Sequence, residues 1–466
     1  MALIWAKGFS GAAALAPLWR RYWEAKRRAE DKTLPSAERG AAVVEAETAK
    51  AEYDQRAGEA ETTLQQAAAN GLAHTHALAV GIGAYTNIGI PSLTTSVHGA
   101  TAFAEWLLTG FQHPEHPLGS VELVLSPGSD LGDWQPVPAA AAQLGLDGSD
   151  SSLPVEAATF DAVKDAFTRW IRRAGTRLEN VALFYFAGHG LWKGGPLLLP
   201  EDAQLPTAAQ AFANLIDIQQ TLANMFNVSP SVQCMFIDAC QELQPALLNN
   251  VIGTPGEPLQ QPTNGPLLSA RDAIAYLGSN MGRKAYGRAD RAPFFTEELL
   301  ACLARRSAAS LLDGNTWSVT TDSLRTAMLA VSPWRTEEMN ADPALSPAER
   351  ANIQFSIMMP GTSTFTAELC QVEGPPEVFV QVRCQPRDAI TRGRPYVEVG
   401  GQRRFRAVNS GSDWYTVVPR ESCVAGVEFD AGAQLMPKQR AFDPTPPLTV
   451  VQLAIAAASI EAGGEA

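Results

Sequence analysis

The stretch VALFYFAGHG at residues 181–190 is an apolar run that ends in a histidine between two glycines. MFIDAC at residues 235–240 is a second apolar run, and it ends in a cysteine. Short apolar runs bounded by turn residues predict buried strands. Parallel strands of an α/β sheet bring their carboxyl ends to one edge, where functional sites form. We therefore expect His189 and Cys240 to follow two adjacent strands and to lie close together.

The residues His189 and Cys240 have the chemistry of a nucleophile and its base. A cysteine thiol ordinarily has a pKa of about 8.5 and is mostly protonated at neutral pH, so it needs a base or an imidazolium partner. Glycines on both sides of His189 let a substrate backbone approach closely. The backbone amides of Gly190 and Cys240 would form an oxyanion hole. A satisfied core histidine and an inert buried thiol are the alternative interpretations.

The surrounding chain alternates short apolar runs with amphipathic segments from residue 76 to about residue 370. This alternation predicts a mostly parallel sheet covered by helices on both faces, an α/β fold. The expected strands lie at 76–82, 121–125, 181–186, 232–237 and 273–277, and the expected helices at 95–108, 159–174, 215–226 and 294–305. Residues 126–155 form a long loop rich in Pro, Gly, Ser and Asp, and residues 244–268 form one rich in Pro, Gly and Asn. Loops this long in a compact domain are usually functional or disordered.

The two ends of the chain have different patterns. Residues 1–75 predict a helical segment, because 41–69 is rich in Ala, Glu and Gln and contains no Pro. The opening MALIWAKGFSGAAALAPLW lacks a basic leader and a run long enough to span a bilayer, so we expect a packed helix rather than a signal peptide. Residues 371–466 alternate and contain a Gly400-Gly401 turn, which predicts a small antiparallel β domain. The predicted organisation is therefore 1–75, 76–370 and 371–466.

The six cysteines form no CxxC pair and no dense framework. This argues against a disulfide-stapled secreted fold and against a zinc ribbon. His74 and His76 have no acidic or cysteine cluster beside them, so no metal site is expected. A net charge of −13 argues against a general nucleic-acid binder. The resulting expectation is a cytoplasmic protein with reduced thiols and neither a nucleic-acid nor a membrane partner.

His189 precedes Cys240 by 51 residues, which is the spacing of the caspase signature. On this spacing residues 76–370 resemble the caspase-like cysteine peptidases, especially the metacaspase and bacterial caspase-homologue branch. FAEWL at 103–107 and PFFTEELL at 293–300 resemble further segments of that family. The resemblance implies a cysteine endopeptidase of protein substrates. Cys240 would attack the scissile carbonyl, His189 would move protons, and the Gly190 and Cys240 amides would hold the oxyanion.

The resemblance also implies a substrate preference. In the metacaspase branch the Asp two residues before the cysteine lines the S1 pocket and pairs with a basic P1 side chain. Asp238 has that position, and a buried carboxylate facing Arg or Lys is a selective contact. The Asn-Asp pair that metacaspases carry at the start of the first helix is replaced here by the stretch Val97-His98-Gly99-Ala100, so one acidic group is missing; Glu242 is a candidate to supply it.

No cofactor is implied by the resemblance. Some metacaspases are activated by calcium, but the acids Asp147 and Asp150 form no calcium-loop motif. By analogy with bacterial caspase homologues, the chain would act in defence or cell death, with an activating or recruiting protein bound through the N-terminal helices or the C-terminal β domain. A non-catalytic scaffold or adaptor, and a separase- or legumain-like peptidase of the same clan, remain alternatives.

The acidity of the chain is concentrated in its middle. Residues 76–370 hold 16 basic and 28 acidic side chains, a net charge of −12, and the windows 76–163 and 194–270 contain no Lys or Arg. An acidic field around a cleft favours basic substrates. A generic acidic surface is the alternative explanation.

The cation-free window leads to a prediction about self-processing. A peptidase that cuts after basic residues has no site between Gln241 and Ala270, so the core should remain a single chain there. N-terminal sequencing of fragments made by the purified chain should instead find cuts after Arg271, within 282–291 or within 20–28. A cut inside 241–270 made by the purified chain alone would contradict the basic P1 preference.

Overall fold

A computed structural model of the chain describes residues 3–6, 12–127, 134–144, 157–204, 213–240, 256–262, 271–280, 290–310, 316–342, 353–359, 366–407, 413–430 and 433–457. The chain divides into two compact units, which are described separately. The first unit comprises Met1–Leu300 and Ser356–Ala367, and the second comprises Ala301–Phe355 and Glu368–Ala466.

The strands are numbered along the chain as β1 (Leu3–Ala6), β2 (Thr75–Ile82), β3 (Leu118–Ser126), β4 (Val181–Gly188), β5 (Gly190–Trp192), β6 (Pro196–Leu198), β7 (Ile216–Asp217), β8 (Val232–Ala239), β9 (Asp272–Leu277), β10 (Ala309–Ser310), β11 (Trp317–Thr320), β12 (Ser356–Met358), β13 (Glu368–Val372), β14 (Val378–Gln385), β15 (Arg394–Val399), β16 (Gln402–Phe405), β17 (Asp413–Val418), β18 (Cys423–Glu428), β19 (Lys438–Phe442) and β20 (Leu448–Ala454).

The α-helices are α1 (Ala12–Glu30), α2 (Ser36–Asn70), α3 (Thr94–Thr109), α4 (Pro138–Gln143), α5 (Phe160–Ala174), α6 (Ile218–Met225), α7 (Phe294–Ala301), α8 (Thr321–Ala341) and α9 (Ala389–Arg392). A π-helical turn, Cys302–Arg306, follows α7. Within the described part of the chain, no helix has both the length and the apolar character needed to cross a bilayer.

The first unit is built on a seven-stranded sheet with the order β1-β3-β2-β4-β8-β9-β12. The five central strands run parallel, and β1 and β12 pair antiparallel at the two edges. Every residue of β2, β4 and β8 is buried, as expected for strands covered on both faces. The predicted α/β fold with a mostly parallel sheet is confirmed.

Helices cover the sheet on both faces because side chains alternate along each strand. On one face, Phe184 of β4 packs against Phe167 and Trp170 of α5, with ring centroids 5.7 and 5.9 Å away. On the other face, the neighbouring Tyr185 stacks on Phe103 of α3, with centroids 4.9 Å apart. Helices α5 and α3 are therefore held on opposite faces of β4.

The N-terminal region differs from the expectation in one respect. Helices α1 and α2 pack through Trp19 and Tyr53, whose rings lie 5.1 Å apart. Ahead of them, Leu3–Ala6 forms strand β1 and not part of a helix, and it pairs with β3. Leu, Ile and Trp suit a strand, and β1 satisfies the backbone groups of β3 on the side that β2 leaves unpaired.

The second unit contains the predicted β-rich region. A four-stranded antiparallel sheet, β16-β15-β18-β19, and a three-stranded sheet, β17-β14-β20, share one core. The pair β14 and β20 is parallel, whereas the other pairs of these two sheets are antiparallel. The small antiparallel sheets expected near the C-terminus are confirmed. The unit also includes α8 and the sheet β10-β11-β13, so it begins earlier in the chain than expected. The organisation 1–75, 76–370 and 371–466 stays a prediction.

One of the expected self-cleavage positions is wrong. Arg271 precedes β9 and is only 1% exposed, and its Nη1 donates to the carbonyl oxygens of Met225 and Val228 at 2.9 and 2.6 Å. A peptide bond held this way cannot reach an active site without local unfolding. Arg283, Lys284 and Arg288, the segments 241–255 and 263–270, and the acid Glu242 lie outside the described residues, whereas the side chain of Arg291 is half exposed.

The buried acid Glu122 on β3 leads to a stability prediction. Arg169 of α5 donates from Nε and Nη2 to its Oε1 at 3.0 and 2.6 Å, and the buried Arg173 contacts its Oε2. Glu122→Gln would leave buried guanidinium charge uncompensated, so we expect the free energy of unfolding to fall by about 3–5 kcal/mol. Urea unfolding followed by tryptophan fluorescence measures this change.

The matched control is Glu59→Gln, which removes an exposed ion pair with Arg56. Exposed pairs contribute up to about 1 kcal/mol, so this variant should unfold almost as the wild type does. Equal urea midpoints for the two variants would contradict a structural role for the buried cluster.

Candidate active site

The pairing of β4 with β8 places the predicted thiol and imidazole at one edge of the sheet. The last parallel pair of these strands is Gly188 opposite Ala239, and the next residues are His189 and Cys240. Cys240 is partly exposed, whereas the other five cysteines are buried. The one accessible thiol among the cysteines therefore lies where the sequence predicts a nucleophile.

The loop after β2 orients His189. The Nε2 atom lies 3.0 Å from the carbonyl oxygen of Pro91, and the backbone N–H donates to Tyr85 Oη at 2.6 Å. Because a carbonyl oxygen only accepts, Nε2 carries the proton in this hydrogen bond. The neutral ring then has its lone pair on Nδ1. That nitrogen is the one that can take a proton from a thiol.

Tyr85 is a contact that the sequence analysis did not identify. Its ring centroid lies 5.0 Å from that of His189, and burial raises its pKa, so the phenol stays neutral. A Cβ at Gly188 would lie 3.1 Å from Tyr85 Oη, which is tighter than most real contacts. The glycine before His189 thus lets the tyrosine hydroxyl reach the backbone of the histidine.

Gly190 is needed for close approach and not for an unusual backbone angle. A Cβ built on Gly190 would lie 2.5 Å from the carbonyl oxygen of Cys240 and 3.1 Å from that of Leu197. The main chains of Gly190 and Cys240 therefore touch. Their juxtaposition is compatible with the predicted oxyanion hole, although the role of the two amides stays a prediction.

Asp238 is buried beneath this edge, with 3% of its surface exposed. Its Oδ2 accepts from the backbone N–H and the Oγ1 of Thr296, at 3.2 and 2.5 Å. Its Oδ1 is buried and accepts no hydrogen bond from the described residues, and a Cβ at Gly278 would lie 3.0 Å from it. Burial raises the pKa of Asp238 to about 7, and the Thr296 hydrogen bonds oppose that rise.

Gly99 of α3, one residue of the stretch that lacks the acidic group, has no room for a side chain. A Cβ at Gly99 would lie 2.4 Å from Tyr185 Oη and 3.3 Å from Thr296 Oγ1. A side chain there would displace the tyrosine hydroxyl, which lies 2.5 Å from Thr296 Oγ1. The space that an acid at position 99 would use is therefore occupied by a neutral hydroxyl pair.

Sequence reasoning missed the partners of the site residues. Pro91 acts through a backbone carbonyl, which no side-chain pattern reveals. Thr296 was noticed only as part of the PFFTEELL resemblance, and Tyr185 only as a strand residue. Within the described residues, no group of three or more His, Cys, Asp or Glu side chains is arranged to hold a metal ion. Asp147 and Asp150 lie outside those residues, so calcium activation stays untested.

Comparison with known proteins identifies the family. The family model described as "Caspase domain" matches residues 74–343, which is more than half of the chain. The chain therefore belongs to the caspase-domain family, and it has the fold of a caspase-like peptidase.

Two known proteins are similar to parts of the chain. The uncharacterized protein y4kE of Sinorhizobium fredii (strain NBRC 101917 / NGR234) is 24% identical over 246 residues, covering 49% of this chain and 65% of that protein. The chain thus spans slightly less than two thirds of that relative. The crystal structure of caspase-1 from Spodoptera frugiperda matches with 12% identity and a TM-score of 0.36, over 64% of this chain and 89% of that one.

The contact between Gly190 and Cys240 leads to a prediction. In Gly190→Ala the added methyl must push the Cys240 carbonyl aside, which would move the Cys240 amide with it. We expect kcat/KM for a peptide substrate to fall about 10²–10³-fold, the effect of losing one oxyanion donor, with little change in melting temperature.

Gly89→Ala is the control, because a Cβ there meets no atom within 4 Å in the same region of the unit. It should retain wild-type activity. Unchanged activity in Gly190→Ala would show that the main-chain contact has no part in turnover.

Proposed function

We propose that this chain is a cysteine endopeptidase that cleaves protein substrates through Cys240 and His189, after Arg or Lys. Membership of the caspase-domain family supports peptidase chemistry. The observation that carries the proposal is the β4–β8 register, which brings an accessible thiol and an oriented imidazole to one edge.

In the proposed reaction, Cys240 Sγ attacks the carbonyl carbon of the scissile bond and its proton passes to His189 Nδ1. The Pro91 carbonyl continues to accept from Nε2, which stabilises the imidazolium that forms. The Gly190 and Cys240 amides hold the oxyanion. Collapse of this intermediate breaks the C–N bond, and His189 returns the proton to the leaving amine. Water then cleaves the thioester with His189 as the base.

The preference for a basic P1 residue rests on Asp238. Its Oδ1 is a buried acceptor that no described residue satisfies, and such an atom is costly to leave unpaired. An arginine or lysine head group would supply both the hydrogen-bond donor and the opposite charge. The cation-free windows of the chain act in the same direction, because a negative field attracts basic polypeptides.

The proposed setting is cytoplasmic, in a bacterial defence or cell-death pathway. An activating or recruiting protein would bind the helices α1 and α2 or the β-rich second unit. This part of the proposal rests on analogy with bacterial caspase homologues. Purification of tagged Cys240→Ala chain from its own cells, followed by identification of co-purifying proteins, tests whether such a partner exists.

A fluorogenic peptide library that varies P1 tests the central proposal. The wild-type chain should cleave peptides with Arg or Lys at P1, and Cys240→Ala and His189→Ala should show background rates only. Cys423→Ala, which removes a buried thiol of the second unit, should remain active. Asp238→Asn should lose the preference for basic residues while still cleaving other peptides slowly.

Equal activity in Cys240→Ala and wild type would overturn the assignment of the nucleophile. Loss of activity in Cys240→Ala, together with an unchanged P1 profile in Asp238→Asn, would refute Asp238 as the basic-residue receptor. If the wild type hydrolyses no peptide of the library under any activator, the non-catalytic scaffold becomes the better description.

A further inference from the structure

We propose that Tyr185 and Thr296 are positioning residues that hold the Asp238 carboxyl group in place and so determine how strongly the enzyme prefers a basic P1 side chain. The inference rests on the proposed function of Asp238. It concerns two neutral side chains that belong to neither the nucleophile, the base nor the oxyanion hole.

The three side chains form one buried chain of hydrogen bonds. Tyr185 Oη lies 2.5 Å from Thr296 Oγ1, and Thr296 Oγ1 lies 2.5 Å from Asp238 Oδ2. Tyr185 and Thr296 are fully buried, and Asp238 is nearly so. A hydrogen bond between buried groups is electrostatically stronger than one in water, so each of these bonds favours a single arrangement of its partners.

The direction of the bonds suits an ionised carboxyl group. A carboxylate only accepts, so the Thr296 hydroxyl donates its single proton to Oδ2. The Thr296 oxygen can then accept from Tyr185, whose O–H donates. Burial and the nearby Asp238 raise the pKa of Tyr185, so this donor keeps its proton. The hydrogen bonds therefore run in one direction: Tyr185 donates to Thr296, and Thr296 donates to Asp238 Oδ2.

Both Thr296 donors bind the same oxygen of the Asp238 carboxyl group. The two oxygens therefore differ in their ability to bind a substrate side chain. With Oδ2 satisfied twice, the unsatisfied Oδ1 is the atom left for an incoming cation. Gly278 beside Oδ1 contributes no side chain that could cover it. Thr296 thus orients the carboxyl group so that Oδ2 is hydrogen-bonded within the protein and Oδ1 can bind the P1 side chain.

Among the described groups around Asp238, the hydrogen bonds from Thr296, supported by Tyr185, are the main stabilisation of the charged carboxyl group. Strand β4 contributes the neutral Tyr185, the residue after β9 is Gly278, and α7 contributes Thr296 and Phe295. Burial and the Thr296 hydrogen bonds set the pKa of Asp238, and the charges of Glu297 and Glu298, also on α7, do not. Burial raises the pKa of Asp238 to about 7, and the Thr296 bonds are what lower it.

These two opposing effects on the Asp238 pKa determine how the preference for a basic P1 side chain changes with pH. A carboxyl group with a pKa near 7 is neutral below that pH and charged above it, so preference for a cation should rise as the pH passes through 7. Without the Thr296 hydroxyl, burial acts with less opposition and the pKa rises further. The preference should then appear only at higher pH.

The test compares two peptides that differ only at P1, one with Arg and one with citrulline, its neutral isostere. The ratio of their kcat/KM values cancels the titration of Cys240 and His189, which both substrates share. In the full wild-type chain this ratio should increase through pH 7. Thr296→Val should lower it about tenfold or more at pH 7 and move its rise to higher pH, as expected for loss of a hydrogen bond to a charged group.

Tyr185→Phe should shift the ratio in the same direction by a smaller amount, because it removes only the outer donor. Thr296→Ser keeps the hydroxyl and should behave as the wild type does. The citrulline peptide reports folding, since its cleavage should be nearly unchanged in all three variants. If Thr296→Val fails to fold, Tyr185→Phe decides between the outcomes.

A wild-type ratio near one at every pH would overturn both the basic P1 preference and the inference that rests on it. A pH-dependent wild-type ratio that is lost in Asp238→Asn, yet unchanged in Thr296→Val and Tyr185→Phe, would uphold the proposed function. That result would overturn the positioning role alone.

Discussion

The parallel pairing of β4 with β8 is the constraint on which the rest of the molecule depends. Main-chain hydrogen bonds set Gly188 opposite Ala239, and the register carries through to the residues that follow. A slip of one residue would turn every side chain of β8 to the other face of the sheet. Phe236 would then leave its aromatic contacts, 5.7 Å from Phe103 and 5.4 Å from Tyr276. The packing of the core therefore specifies the same register that the site requires.

Two buried acids of this sheet, Glu122 and Asp238, have opposite electrostatic surroundings. Glu122 meets two arginines, so its charge is balanced inside the protein and it contributes to the fold. Asp238 meets only neutral donors from Thr296 and keeps one buried oxygen unsatisfied. A buried acid without a counter-charge is destabilising in isolation. Such a cost is most easily understood where a ligand provides the missing partner, which is the sense of the proposed basic-residue pocket.

Apolar runs predicted the central strands and helices well, because buried strands of a parallel sheet are nearly uniform in hydrophobicity. Strand β4 was expected at 181–186 and is found at Val181–Gly188. The prediction failed for the short strand β1 and for Arg271, which was named as a self-cleavage position and is buried. An arginine can be fully buried when carbonyl oxygens accept from it, and that information is absent from local sequence. The small strands β5, β6 and β7 were likewise too short to show a period.

The sequence by itself determined the class of fold, the order of the strands that carry His189 and Cys240, and the acidic character of the middle of the chain. These depend on local hydrophobic patterns and on composition. Only the tertiary structure decided what holds those residues. The Pro91 carbonyl lies 98 residues before His189, and Thr296 lies 58 residues after Asp238. Such contacts arise from packing between distant segments, where a backbone oxygen or a single hydroxyl suffices and leaves no signature in the sequence.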